Sequence, residues 1–149
     1  MSNFELLNVP SVIPRFLEAC PPFQSRWDQH VAYWSGEPAG DYNDIAELAH
    51  FVVDAYARGD TSCLPAIFDL AEELLRSGHP KQKEIVSLGL LEDIQTISSH
   101  HEFGPDAFVR YLGPLCRESW QQIARTWEDK QSLMDVLREE AQREKPPEA

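Results

Sequence analysis

The chain has 149 residues and a formal net charge of −12 at pH 7, with four Trp, seven Phe and four Tyr. That length suits one domain around a single core, and the aromatic content excludes a disordered chain. The charge excludes a nucleic-acid or anionic-membrane surface, both of which need clustered Lys and Arg, so any charged partner is expected to be basic.

At the N-terminus no basic region leads into an apolar run, and nowhere does the chain approach the roughly 20 apolar residues a membrane helix needs. A soluble, cytoplasmic protein is expected. A first helix is predicted around Val12 to Cys20, and Trp27, Val31 and Trp34 mark a second, short and amphipathic. From Asp44 to Arg58 the apolar positions Ile45, Leu48, Ala49, Val52 and Tyr56 recur at helical spacing, and Gly59 stands where a helix C-cap is wanted. A helix over Ser62 to Ser77 takes Asp60 or Thr61 as its N-cap, tolerates Pro65 in its first turn and stops at Gly78. Another follows from about Lys81 to Ser99. Trp120, Ile123, Ala124 and Trp127 form one further stripe, and a last polar helix is predicted over about Lys130 to Gln142.

No period-two run suggests a strand, so the fold class is all-α: a compact bundle of about six to eight helices in antiparallel hairpins, with HEAT-like stacking as a variant. Residues 1–142 are read as one domain, and the closing "REKPPEA" as a disordered polar tail over 143–149. Cys20, Cys63 and Cys116 are far apart and form no Cys-x-x-Cys pair. They read as small buried hydrophobes in a reducing compartment rather than a disulfide framework or zinc knuckle.

The densest group of titratable side chains lies in "LLEDIQTISSHHEFGPD", Leu90 to Asp106. On a helical projection Val86, Leu90, Ile94 and Ile97 share a face, Leu88 and Ile85 lie nearly opposite, and Gly89 offers a notch, so this helix is expected at the centre of the core. His101 falls on the apolar face and reads as a core histidine at a helix end. The residues four before His100 and His101 are Thr96 and Ile97, so the helix carries no second metal ligand. Nucleotide-binding glycine motifs and Gly-x-Ser-x-Gly are missing from the sequence. No catalytic residue, metal or cofactor is therefore assigned. Glu92 and Asp93 sit mid-helix and read as solvent-facing or paired structural carboxylates.

Charge is unevenly spread. Between Glu37 and Leu75 stand nine acids, Glu37, Asp41, Asp44, Glu47, Asp54, Asp60, Asp69, Glu72 and Glu73, against one base, Arg58. The outer face of the Asp44 helix reads Asp44, Glu47, Phe51, Asp54, an aromatic among acids. Such a stripe suits either a solvated face with Phe51 tucked under a neighbour or an anchor-and-rim surface for a basic protein. On the second reading Asp41, Asp44, Glu47, Phe51, Asp54, Asp69, Glu72 and Glu73 are the partner-binding candidates.

"SLGLLEDIQTISSH" followed by "FVRYLGPLCRESWQQIARTW" resembles an uncharacterised bacterial family of small acidic helical proteins. The resemblance spans Ile67 to Trp127 and places the family pattern on Gly89, Leu91, Glu92, Asp93, Gln95, Tyr111, Leu112, Gly113, Pro114, Arg117, Trp120 and Trp127. Cys116 and Thr96 depart from it, standing where Ser and Asn are expected. Proteins of this kind are similar to immunity proteins of polymorphic toxin systems. The resemblance implies a cytoplasmic protein that binds and blocks a cognate toxin domain, with Glu92 and Asp93 steadying the Tyr111–Arg117 segment; together with the acidic block it leads to a non-enzymatic inhibitor of a basic toxin, a nuclease for example. Two alternatives stay open: a small metal-dependent or acid/base enzyme using Glu92, Asp93, His100 and His101, and a helical adaptor or homo-oligomer using Trp27, Tyr33 and Trp34.

Overall fold

The computed structural model describes residues 9–143, and the expectation of a disordered tail falls on residues outside that range except Arg143. Among the described residues there are seven α-helices and no strand. Helix α1 covers Ile13–Ala19 and begins where the Ser11 hydroxyl accepts the Ile13 amide at 3.2 Å. It stops before Pro21 and Pro22, which cannot continue an α-helical ladder, and a 3-10 turn, Pro21–Phe23, leads into α2, Gln24–Tyr33. Ser35, Gly36 and Gly40 take positive φ in the connection to α3, Asp41–Ala57. Asp41 and Asp44 occupy the first turn of α3, where the helix dipole favours negative charge.

Helix α3 ends as its sequence indicates. Gly59, with φ of 79°, donates to Tyr56 O, and Asp60 donates to Ala55 O, the paired bonds of a Schellman motif. Helix α4, Leu64–Ser77, has Pro65 in its first turn and stops at Gly78. His79 then caps α5, Pro80–Glu84: its Nδ1 accepts the Lys81 amide at 3.1 Å while Gln82 Oε1 accepts the His79 amide at 3.1 Å.

Helix α5 runs without a break into a π-helical segment, Ile85–Leu91, and on into α6, Glu92–Ser98. This rod packs against α3 through Gly89. A Cβ at Gly89 would lie 2.7 Å from Ile45 Cγ2 and 3.5 Å from Tyr42 Cδ1, so only glycine permits this approach. The wider π turn also rotates the sequence. Ile85, Val86, Leu90 and Leu91 are buried, as a central helix requires, but Leu88 is turned outward.

A 3-10 segment, Pro105–Tyr111, packs Phe108 into an aromatic cluster with Tyr56, Phe68 and Phe103. Helix α7 is continuous over Pro114–Arg143, 30 residues or about 45 Å. The separate stripe and last helix expected from the sequence are thus one element, since "WEDK" between them holds no breaker. Cys116, Trp120 and Ile123 bury the start of α7 against the body, and every residue from Arg125 to Arg143 is exposed.

Helix α7 begins on a carboxylate from elsewhere in the chain. Glu72, buried in α4, accepts the Leu115 amide at 2.7 Å and the Cys116 amide at 2.8 Å. These amides have no partner within their own helix, and the dipole adds to the attraction. Burial opposes the charge of Glu72, yet the bonds from Cys116 and Leu115 prevail and hold its carboxyl below the usual range. Gly113 makes room: a Cβ there would stand 2.6 Å from Glu72 Cδ.

Candidate functional site

Helix α2 lies across the acidic stripe of α3. Arg26 donates to Glu47 Oε2 at 3.0 Å and to Asp54 Oδ2 at 2.7 Å. Burial works against the Arg26 charge, but the Asp54 and Glu47 carboxylates more than compensate, and its pKa is raised. His30, nearly enclosed, sets Nε2 2.9 Å from Asp44 Oδ1 and Nδ1 3.6 Å from Glu47 Oε1. Asp44, Glu47 and Asp54 therefore dock one helix on another. Phe51 is not an exposed anchor: it is 9% exposed and packs on Phe23 at a ring separation of 5.5 Å. An open cleft of about 770 Å³ beside these residues is lined by Arg26, His30, Tyr33, Glu47, His50 and Arg58.

The remaining acids divide by position. Glu72 is the buried cap of α7 and is not available at the surface. Glu73 is exposed and pairs with Arg15 at 3.2 Å, with Asp69 lining the same shallow surface. Asp41 is exposed at the start of α3. Of the aromatic residues on α2, Trp27 packs against the core, whereas Tyr33 is 82% exposed beside Trp34.

His100 and His101 follow the end of α6, outside the apolar face. His101 is exposed and stacks on Phe103 at 4.8 Å, so it is a surface residue and not a core histidine. Glu92 opens α6, eight residues before His100 or about 12 Å along a helical axis, and the two histidines do not meet the two carboxylates. Among the described residues no group of three or more His, Cys, Asp or Glu is placed to hold a metal ion.

Most of the motif residues build the body. Gly89 admits α3, Gln95 Nε2 donates to Trp120 O at 2.9 Å, Tyr111 stacks on Phe68 at 5.7 Å, and Arg117 reaches Val109 O at 3.5 Å. Gly113 and Pro114 form the start of α7, which Glu72 steadies in place of Glu92 and Asp93. Glu92, Asp93 and Trp127 are left over.

These three border one face. Tyr42, 42% exposed on the first turn of α3, has Cδ1 3.5 Å from where a Cβ of Gly89 would stand, and Leu88, 51% exposed, is the residue before Gly89 on the π segment. The Tyr42 hydroxyl donates to Glu84 Oε1 at 3.0 Å, and Lys81 Nζ lies 5.4 Å from the ring centre and 3.6 Å from Glu84. Desolvation, the Glu84 bond and the charges of Glu84, Asp41 and Glu92 raise the Tyr42 pKa, so the hydroxyl remains a donor. Three carboxylates thus surround one ring. Glu92 also borders a groove of about 350 Å³ with Leu88, Ile123 and Trp127, where Lys130 Nζ lies 5.2 Å over the Trp127 ring. Asp93, four residues beyond Gly89, has neither a hydrogen bond nor an ion pair among the described residues. Its burial and the Glu92 charge push its pKa up to about 6.

The arrangement is an exposed ring close to three carboxylates, with Glu92 shared between it and the groove that Leu88 and Trp127 line. Sequence reasoning did not find Tyr42, Glu84 or Leu88. Tyr42 lies inside the acidic block but off the stripe projected from Asp44, and Leu88 reads as buried because its helix is apolar on most sides.

A family model described as "Domain of unknown function (DUF7674)" matches residues 13–128. Neither a curated protein nor a solved structure matches the chain.

Proposed function

The chain belongs to the DUF7674 family of unknown function, and from its own surface we propose that it is an immunity-type protein that binds and neutralises a basic bacterial toxin domain. The observation that carries this reading is the exposed Tyr42 ring near Asp41, Glu84 and Glu92, with the exposed Leu88 in the groove that Glu92 also borders. Lys81 is the cation that pairs with these carboxylates, through Glu84, so they outnumber it and repel one another. A basic partner relieves that repulsion while Tyr42 and Leu88 supply the desolvated contact. Action is by occlusion, without catalysis, in the cytoplasm. A nuclease fits the charge best, because its substrate groove is cationic.

Co-expression with the toxin domain encoded beside this chain should restore growth, and purified proteins should form a complex. Tyr42→Ala with Leu88→Ala should cost about 2–4 kcal/mol, roughly 30- to 1,000-fold in affinity. Glu84→Lys with Glu92→Lys should act mainly by slowing association, most clearly at low salt. Failure of both rescue and binding refutes the proposal.

A further inference from the structure

We infer that the free half of α7 is a self-association seam, covered by the same stretch of a second copy lying antiparallel. The residues that bury the start of α7 are Cys116, Trp120 and Ile123. Continuing the same alternation of four and three residues gives Trp127, Lys130, Met134, Leu137 and Ala141, so the core-facing stripe runs off the body without interruption. A 3.5-residue repeat keeps its seam facing another helix and is the pattern of a coiled coil. Beyond Ile123 the body leaves this stripe exposed: Trp127 and Lys130 still border the groove with Leu88 and Glu92, but Trp127, Met134 and Leu137 are 45%, 52% and 54% exposed, with Leu133 at 59% beside them. The exposed seam is about 21 Å long.

Charge selects a second copy as the occupant. Over residues 125–143 four bases, Arg125, Lys130, Arg138 and Arg143, face five acids, Glu128, Asp129, Asp135, Glu139 and Glu140, a balance of −1 in a chain of −12. Two copies therefore meet here with little net repulsion, whereas a basic partner is drawn to the acidic face around Tyr42. Lys130 fixes the orientation. In a parallel pair Lys130 would oppose itself within the seam and the two acidic bodies would lie side by side. In the antiparallel pair that sets Met134 against the second copy's Leu137, Lys130 falls by Ala141 and Glu140 of that copy, and the bodies lie at opposite ends.

Sedimentation of the full chain from micromolar to submillimolar concentration tests this. A concentration-dependent dimer is expected, and Met134→Glu with Leu137→Glu should abolish it while leaving the thermal midpoint of the monomer unchanged, because both side chains are already exposed. A Lys130→Cys, Ala141→Cys variant should form intermolecular disulfides between the two different positions under mild oxidation. A monomer at every concentration, or a dimer that survives the Glu substitutions, overturns the inference. So does a monomer whose Glu-substituted form loses affinity for the basic partner, which would give the stripe to that partner.

Discussion

Glu72 caps the 30-residue helix α7 from a buried position, and replacing it gives a quantitative test. Its two oxygens accept the Leu115 and Cys116 amides at 2.7 and 2.8 Å in a buried setting. Hydrogen bonds to a charged group contribute about 1.5–3 kcal/mol each, and the helix dipole adds roughly 0.3–1 kcal/mol. Glu72→Gln keeps one carbonyl oxygen but loses the charge and one acceptor, so it should destabilise by about 2 kcal/mol. Glu72→Ala leaves both amides without the carboxylate and should cost about 3–4 kcal/mol. For a chain of this size each kcal/mol shifts the midpoint by about 2–4 °C, so Glu72→Gln should melt roughly 4–8 °C lower.

Glu73→Gln is the control, since that side chain is exposed beside an equally exposed Arg15, and it should change stability by less than about 0.5 kcal/mol. The pH dependence follows from the lowered pKa of Glu72. Its stabilisation is complete above the unfolded carboxyl value, near pH 4.3, and is lost as pH falls through the lower folded value. The stability gap between the parent protein and the Glu72→Gln variant should therefore close in acid. Calorimetry with amide exchange at Leu115 and Cys116 reads both effects. Equal midpoints for the Glu72→Gln and Glu73→Gln proteins would refute the capping account.

Two further predictions concern the face around Gly89. Asp93 has a raised pKa, about 6, so the favourable contribution of its protonated form is present below about pH 4 and lost as pH rises through 6. Asp93→Asn should stabilise the free protein at pH 7 by about 1 kcal/mol, discounted for partial solvent screening, with no gain at pH 4. Denaturant titration at the two pH values measures this. Gly89→Ala should destabilise by about 1–2 kcal/mol net, because overpacking against Ile45 Cγ2 at 2.7 Å, costing about 2–3 kcal/mol, outweighs the gain of about 1 kcal/mol in helix propensity. A Gly89→Ala protein as stable as the parent would contradict the close approach of α3.

Local signals in the chain reveal much of this architecture. Gly59 marks the end of α3 because a Schellman turn needs only neighbouring residues, and Pro65, Gly78 and the apolar periods place their helices for the same reason. What stays hidden depends on partners far away in sequence. Phe51 reads equally as tucked under a neighbour or as an exposed anchor until α2 covers it with Phe23, and nothing local shows that Arg26 pairs with the acids around it. Glu72 looks like an ordinary mid-helix acid, while the amides it caps lie 43 and 44 residues later. The helix around Gly89 is apolar on most sides and so reads as wholly buried, but its π segment, Ile85–Leu91, buries Ile85 and leaves Leu88 exposed opposite Val86 and Leu90.

Hydrogen exchange on a complex with the proposed basic toxin partner tests the role of the Tyr42 face most directly. Protection is predicted over Asp41 to Asn43 and Glu84 to Asp93, and it should vanish with Tyr42→Ala and Leu88→Ala in a protein that still folds. Protection confined to the cleft between α2 and α3, or to the exposed half of α7, would contradict the account.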